Sequence, residues 1–311
     1  MVLIVTTAAR SNYRNVFMKM YSSYTIILLL MFLTSCSLQK TTVQYKQAEG
    51  VKANKLSLDI YNTAEGGNKP VVVFVHGGGW LLGDKSTKIR HKVALFESLG
   101  YVFVSVNYRL SSLFHKKTQY PAHTNDVADA IKWIYENISR YGGNREQMVL
   151  MGHSAGAQMI SLLATSDEFL PPRNISPNHF KGIISLDTEG YDVHEMGRAG
   201  ASIYQRIFSN NPETWKEASP VLQVRPGKSY PDFLIVMRGK TYRIEMAQTF
   251  AEKLKSSGAA VELVNAESYG HFKVNNILGN KKDRIVTPRV VEFLKRAFRQ
   301  PSFNAATAAP F

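Results

Sequence analysis

The sequence predicts an α/β fold, a mostly parallel sheet with helices on both faces. Three observations predict it. Val71-Val72-Val73-Phe74-Val75 is an unbroken β-branched and aromatic run, which suits a strand buried on both faces. Other short apolar runs alternate with segments of helical periodicity, and that alternation implies parallel strands joined by helical crossovers. Glycine-rich turns, His76–Trp80 and Gly152–Gly156, stand directly after two of the runs.

Val43–Ala48 and Leu56–Tyr61 are short strand-like patterns separated by Gly50 and Asn54. The remaining strands are expected at Val102–Val106, Met148–Met151, Gly182–Leu186, Phe233–Met237 and Val261–Val264. Helices are expected at Lys88–Leu99, Asp126–Tyr141, Ala155–Thr165, Ile244–Ser257 and Arg289–Phe298. In Asp126–Tyr141 the residues Val127, Ile131, Ile134, Tyr135 and Ile138 recur at spacings of three and four, one apolar stripe. Gly100 and Gly258 stand just past two helices, where a left-handed cap is wanted. Phe169–His179 and Asp192–Lys228 break the alternation and are rich in Pro, Asn and Ser. The second is read as an excursion over the top of the sheet, not as a separate domain.

Composition narrows the class. The chain has 311 residues, 44% hydrophobic and 20% charged, which is enough for one sizeable core. A single cysteine rules out an intrachain disulfide and any CxxC site for zinc or redox chemistry. The net charge of +14 is scattered, and no nucleic-acid motif accompanies it, so no nucleic-acid partner is expected.

The N-terminus is expected to be an export signal. Arg10, Arg14 and Lys19 precede Ile26–Leu33, an apolar stretch too short to span a hydrocarbon layer of ~30 Å as a helix. Residues 1–17 are superfluous to such a signal, since Met18-Lys19-Met20 could start it. Leu33-Thr34-Ser35-Cys36 follows and resembles the bacterial lipobox, with the chain's single cysteine at the acylated position. The organisation expected is therefore a lipoprotein signal peptide over 1–35, a polar tether over 36–44 and one α/β domain over 45–311. Cys36 would carry the lipid anchor. The location implied is the periplasmic face of a membrane, in the outer membrane of a Gram-negative bacterium.

Two motifs carry chemistry. Gly152-His153-Ser154-Ala155-Gly156 joins a strand to a helix, the context of a nucleophile elbow that lifts Ser154 Oγ above the strand ends. His76-Gly77-Gly78-Gly79-Trp80 follows the Val71–Val75 strand, and its consecutive glycines leave backbone N–H groups bare. The amides of Gly78, Gly79 and Ala155 would together form an oxyanion hole.

These motifs, with Gly83-Asp84-Lys85, Val106-Asn107-Tyr108-Arg109-Leu110, Tyr120-Pro121-Ala122 and Asp126, resemble an α/β-hydrolase of the hormone-sensitive-lipase and carboxylesterase-like branch over roughly residues 55–300. The resemblance implies a serine hydrolase that needs no cofactor or metal, forms an acyl-enzyme, and cleaves carboxylic esters or sometimes amides. It makes His271, in the loop just after the Ala260–Asn265 strand, the general base. His76 and His153 take structural or orienting roles, and Asp84, Tyr108 and Arg109 brace the glycine loop. His91, His115, His123, His179 and His194 match no motif and are read as surface or locally bonded histidines.

The acid departs from the family pattern. The family's aspartate is expected three residues after the glycine in Met237-Arg238-Gly239-Lys240-Thr241-Tyr242-Arg243, and Tyr242 stands there. A phenol cannot stabilise an imidazolium as a carboxylate does. Asp187, ending the apolar Gly182–Leu186 run, is the leading candidate, because parallel strands all present their carboxyl ends to one edge. Glu245, Glu189 and Asp192 are alternatives; Asp232 begins its strand and faces the wrong edge. Two other functions stay open: an amidase, aryl formamidase or peptidase on the same fold, and a noncatalytic lipid-anchored binding protein derived from a hydrolase.

Overall fold

The computed structural model describes residues 38–63, 66–114 and 117–299. The expected signal peptide, Cys36 and His115 lie outside them. Eight strands form one sheet: β1 (Leu38–Gln44), β2 (Ser57–Thr63), β3 (Lys69–Val75), β4 (Val102–Val106), β5 (Gly143–His153), β6 (Gly182–Leu186), β7 (Phe233–Met237) and β8 (Val261–Asn265). Their spatial order is β1-β2-β4-β3-β5-β6-β7-β8. β2 runs antiparallel to both its neighbours, and β4 through β8 are mutually parallel.

Period-two geometry sorts β3 between two cores. Val71, Val73 and Val75 enter one, and Val72 and Phe74 enter the other. The first core is covered by α2 (Ala122–Asn137), α3 (Ala155–Thr165) and α8 (Thr241–Ser256); the second by α1 (Arg90–Ser98) and α10 (Val286–Ala297). The stripe read from sequence packs as expected, with Val127, Ile131 and Ile134 fully buried. Every residue of α3 is buried, including the polar Gln158, Ser161 and Thr165.

Three expectations are corrected. Over its described part the proposed 36–44 tether is strand β1, zipped to β2 from Leu38↔Thr63 to Gln44↔Ser57. The excursion is not irregular: it carries α4 (Val193–Arg198), α5 (Ser202–Phe208), α6 (Pro212–Glu217) and α7 (Pro220–Gln223), each too short to show a period in sequence. His271 is not in a loop but is the first residue of α9 (His271–Ile277).

Strand register sets the stage for chemistry. His153 pairs with Leu186, so β5 and β6 end level with each other. The Ser154 N–H then donates to the Leu186 carbonyl (3.0 Å), and the Asp187 N–H donates to that of Val236 (2.9 Å).

Candidate active site

Ser154 stands between β5 and α3 with φ 54° and ψ −118°, a region that residues bearing a Cβ rarely occupy. The turn is held by close glycine contacts. A Cβ on Gly156 would lie 2.1 Å from the Val75 carbonyl oxygen, and one on Gly77 would lie 2.9 Å from Ser154 Cβ. The glycine loop therefore presses directly on the serine. None of the amides of Gly78, Gly79 and Ala155 donates to a protein acceptor among the described residues.

Around that loop is a polar brace. Tyr108 Oη donates to the His76 carbonyl (3.1 Å) and its ring stacks on His76 at 4.5 Å. Asn107 Nδ2 donates to Asp84 (2.9 Å) and Asn107 Oδ1 accepts from the Lys85 N–H (2.5 Å). Buried Asp126 takes two bonds from the Arg109 side chain (2.6 and 2.8 Å). The excursion closes over the far side: Trp80 packs edge-on against Tyr204 (5.6 Å) and Phe208 (5.0 Å) of α5.

The structure brings Ser154, His271 and Asp187 together. His271 Nε2 lies 3.0 Å from Ser154 Oγ, and His271 Nδ1 lies 2.6 Å from Asp187 Oδ2. Asp187 is only 2% exposed. Burial alone would raise its carboxyl pKa. The His271 bond and the guanidinium groups of Arg243 and Arg238 outweigh that and hold it well below the usual carboxylate range. Beneath the histidine, His153 Nε2 lies 3.0 Å from the His271 carbonyl. Burial, reinforced by the neighbouring His271, pushes the His153 imidazole down to about 3, so it is neutral and donates to that carbonyl.

The alternative acids go elsewhere. Glu245 is exposed on the second turn of α8, because that helix begins three residues earlier than expected, at Thr241. Asp192 caps α4, accepting from the Glu195 N–H (2.9 Å). Glu189 is bound by the Arg243 guanidinium and by Tyr242 Oη (3.1 Å). Asp232 Oδ1 accepts from the Ala260 N–H at the opposite edge. Sequence reasoning missed Arg238 and Arg243, which bind Asp187 at 2.6 and 2.9 Å. Their signal was available: both lie in the Met237–Arg243 segment that lacks the family's acid, where cations beside an acid one strand away would be useful. Among the described residues no cluster of three or more metal-ligating side chains occurs.

The BD-FAE family model matches residues 58–255. Esterase LipQ of Mycobacterium tuberculosis is 30% identical over 76% of this chain, which covers 58% of that protein. Carboxylesterase NlhH of the same species is 37% identical, with 74% of each chain covered. The chain spans 58% and 56% of the length of LipQ and of the related esterase LipC, little more than half. A hyperthermophilic esterase from the archaeon Pyrobaculum calidifontis superposes with a TM-score of 0.67 at 20% identity, covering 96% of this chain and all of that one. Esterase B from Lactobacillus Rhamnosis superposes with a TM-score of 0.66 at 17% identity, covering 92% and 95%. Both share the α/β-hydrolase fold.

Proposed function

The chain belongs to the BD-FAE family of carboxylesterase-like α/β-hydrolases, and from that premise we propose that it is a serine hydrolase of carboxylic esters. The reading rests above all on the two contacts of His271, 3.0 Å to Ser154 Oγ and 2.6 Å to Asp187. His271 Nε2 takes the serine proton as Oγ attacks the acyl carbon, and the oxyanion meets the free amides of Gly78, Gly79 and Ala155. Each such donor contributes about 10²–10³ in turnover. The imidazolium then gives its proton to the leaving alcohol, and an acyl-enzyme remains. Water repeats the steps and frees Ser154. Asp187 holds the Nδ1–H tautomer and stabilises the imidazolium.

A fluorophosphonate probe and a panel of aryl esters, amides and formamides test this. We expect labelling of Ser154, turnover of short-chain p-nitrophenyl esters, and loss of both in Ser154→Ala. Turnover that persists in Ser154→Ala overturns the mechanism, and faster cleavage of amides or formamides than of esters overturns the substrate class.

We also propose that the chain is exported and acylated at Cys36. The support is the order of charges, apolar stretch and Leu33-Thr34-Ser35-Cys36 in the sequence. Palmitate incorporation in bacteria, wild type against Cys36→Ala, decides it. Equal incorporation in both removes the anchor.

A further inference from the structure

Asp187 sits among more charge than a triad aspartate needs. Its Oδ2 accepts from both His271 Nδ1 (2.6 Å) and Arg238 Nε (2.6 Å), and its Oδ1 accepts from the Arg243 guanidinium (2.9 Å). The second Arg243 nitrogen binds Glu189, which Tyr242 Oη also meets. Arg243 Nε is buried without a hydrogen-bond partner. Two guanidinium groups and two carboxylates thus balance in charge beside His271.

A carboxylate buried to this depth beside only a neutral imidazole would take up a proton or turn towards water. It is also free to rotate about Cβ–Cγ unless both oxygens are held. Arg243 fixes Oδ1, so Oδ2 faces the histidine, and Arg238 fixes Oδ2 from the end of β7. Both arginines come from the segment Met237–Arg243, where Tyr242 stands in place of the family's acid.

We propose that Arg238 and Arg243 are positioning residues that keep Asp187 ionised and aimed at His271, so that an acid just after β6 serves in place of one after β7. The proposal rests on the serine-hydrolase reading above. It carries an electrostatic consequence. The same guanidinium groups oppose the positive charge that forms on His271 during acyl transfer. Removing one should loosen the carboxylate and, separately, make the imidazolium easier to form.

Other titratable groups face this cluster. They are Glu189 on the loop after β6, Tyr242 on α8, Tyr191 before α4, Tyr204 on α5, and His153 at the end of β5, whose ring lies 4.7 Å from that of His271. Lys92 on α1 donates to the Asn275 carbonyl of α9, the helix that begins with His271. All are common to wild type and variants, so differences between pH profiles report the arginines.

The test uses purified full-length chain and a p-nitrophenyl ester. In Arg243→Gln and Arg238→Gln we expect kcat to fall by about 10–100-fold with KM within about threefold, since the acid acts on the transition state and not on binding. The acid limb of the kcat/KM profile should move to higher pH by about 0.5–1 unit as a neighbouring positive charge is lost. Arg243→Lys keeps the charge and should leave the limb in place while recovering part of kcat. If both Gln variants keep wild-type kcat and limb, the arginines are structural only and the proposal is overturned. Should the Gln variants fail to fold by circular dichroism, Arg238→Lys and Arg243→Lys decide: wild-type kcat in both overturns it, and a lowered kcat with an unmoved limb supports it. Asp187→Asn separates the two readings. If that variant is near wild type, the triad assignment fails, whatever the arginines do.

Discussion

Asp187 directly follows β6 with φ 47°, and a residue with a Cβ keeps that conformation only when its surroundings hold it. Three donors and the Val236 carbonyl do so here. Asp187→Asn should therefore fold yet lower kcat by up to ~10⁴, because the amide can leave the histidine with the wrong tautomer. Glu245→Gln, at an exposed site, should leave kcat within about twofold, as surface changes usually do. Steady-state kinetics on the two variants compare them directly, and a crippled Glu245→Gln would reverse the assignment. The contact of Asp187 with His271 was legible in sequence because a carboxylate terminating an apolar strand needs a partner. The partners were less legible, since nothing in Arg238 or Arg243 taken singly distinguishes them from surface cations. His153 was legible only as part of its motif. Its neutrality comes from burial, which a sequence window does not report.

At the scale of elements, the site depends on β3 and the β5–α3 turn approaching more closely than side chains allow. A Cβ at Gly156 would meet the Val75 carbonyl at 2.1 Å, and backbone cannot step aside as a flexible side chain can. Gly156→Ala should cost about 1–3 kcal/mol or more and displace the elbow, giving a lower Tm and weak fluorophosphonate labelling together. A second element-level feature escaped the sequence altogether. Lys92 stands on the buried stripe of α1, with its ammonium on the Lys88 and Asn275 carbonyls and 5.0 Å from the Phe74 ring centre. Desolvation pushes it down from the ordinary 10.5 to about 7. The unfolded chain thus binds more protons than the folded one between those values. Stability should be lowest below pH 7, rise through that window and be complete above 10.5. Chemical denaturation at pH 7 and 9 should show this rise in wild type and a smaller one in Lys92→Met. An equal rise in both would assign it to other groups. Hydropathy places lysine outside, so only the α1–α9 packing reveals this one. The four short helices of the excursion were hidden for a different reason: four to seven residues hold too few turns for a period to emerge.

For the molecule as a whole, the parallel core was legible because strands buried on both faces read as continuous apolar runs, whereas its far edge was not. β1 reads Leu-Gln-Lys-Thr-Thr-Val-Gln, and only Val43 is partly buried, so it resembles a polar tether. Its role lies in pairing. It covers β2, whose Leu58, Ile60 and Tyr61 belong to the cores, and it supplies two partners to fully buried Asp59, Lys40 Nζ at 2.9 Å and Thr42 Oγ1 at 2.7 Å. Deleting Leu38–Gln44 should bare the hydrogen-bonding edge of β2 and leave Asp59 with Lys85 as its remaining ion pair, at 3.3 Å. Both effects lower stability, and each kcal/mol lost moves Tm by about 2–4 °C in a domain near this size. An uncovered edge also templates pairing with a second chain, so light scattering should detect self-association. Activity per folded molecule should persist, because Ser154, Asp187 and His271 lie past the ends of β5, β6 and β8 while the deletion acts at the opposite side of the sheet order. A double substitution, Lys40→Ala with Thr42→Ala, keeps the strand while removing the Asp59 contacts, and should lower Tm without causing self-association. If the deletion changes neither Tm nor the scattering, the segment behaves as a tether, and the pairing of β1 with β2 contributes nothing to the stability of the molecule.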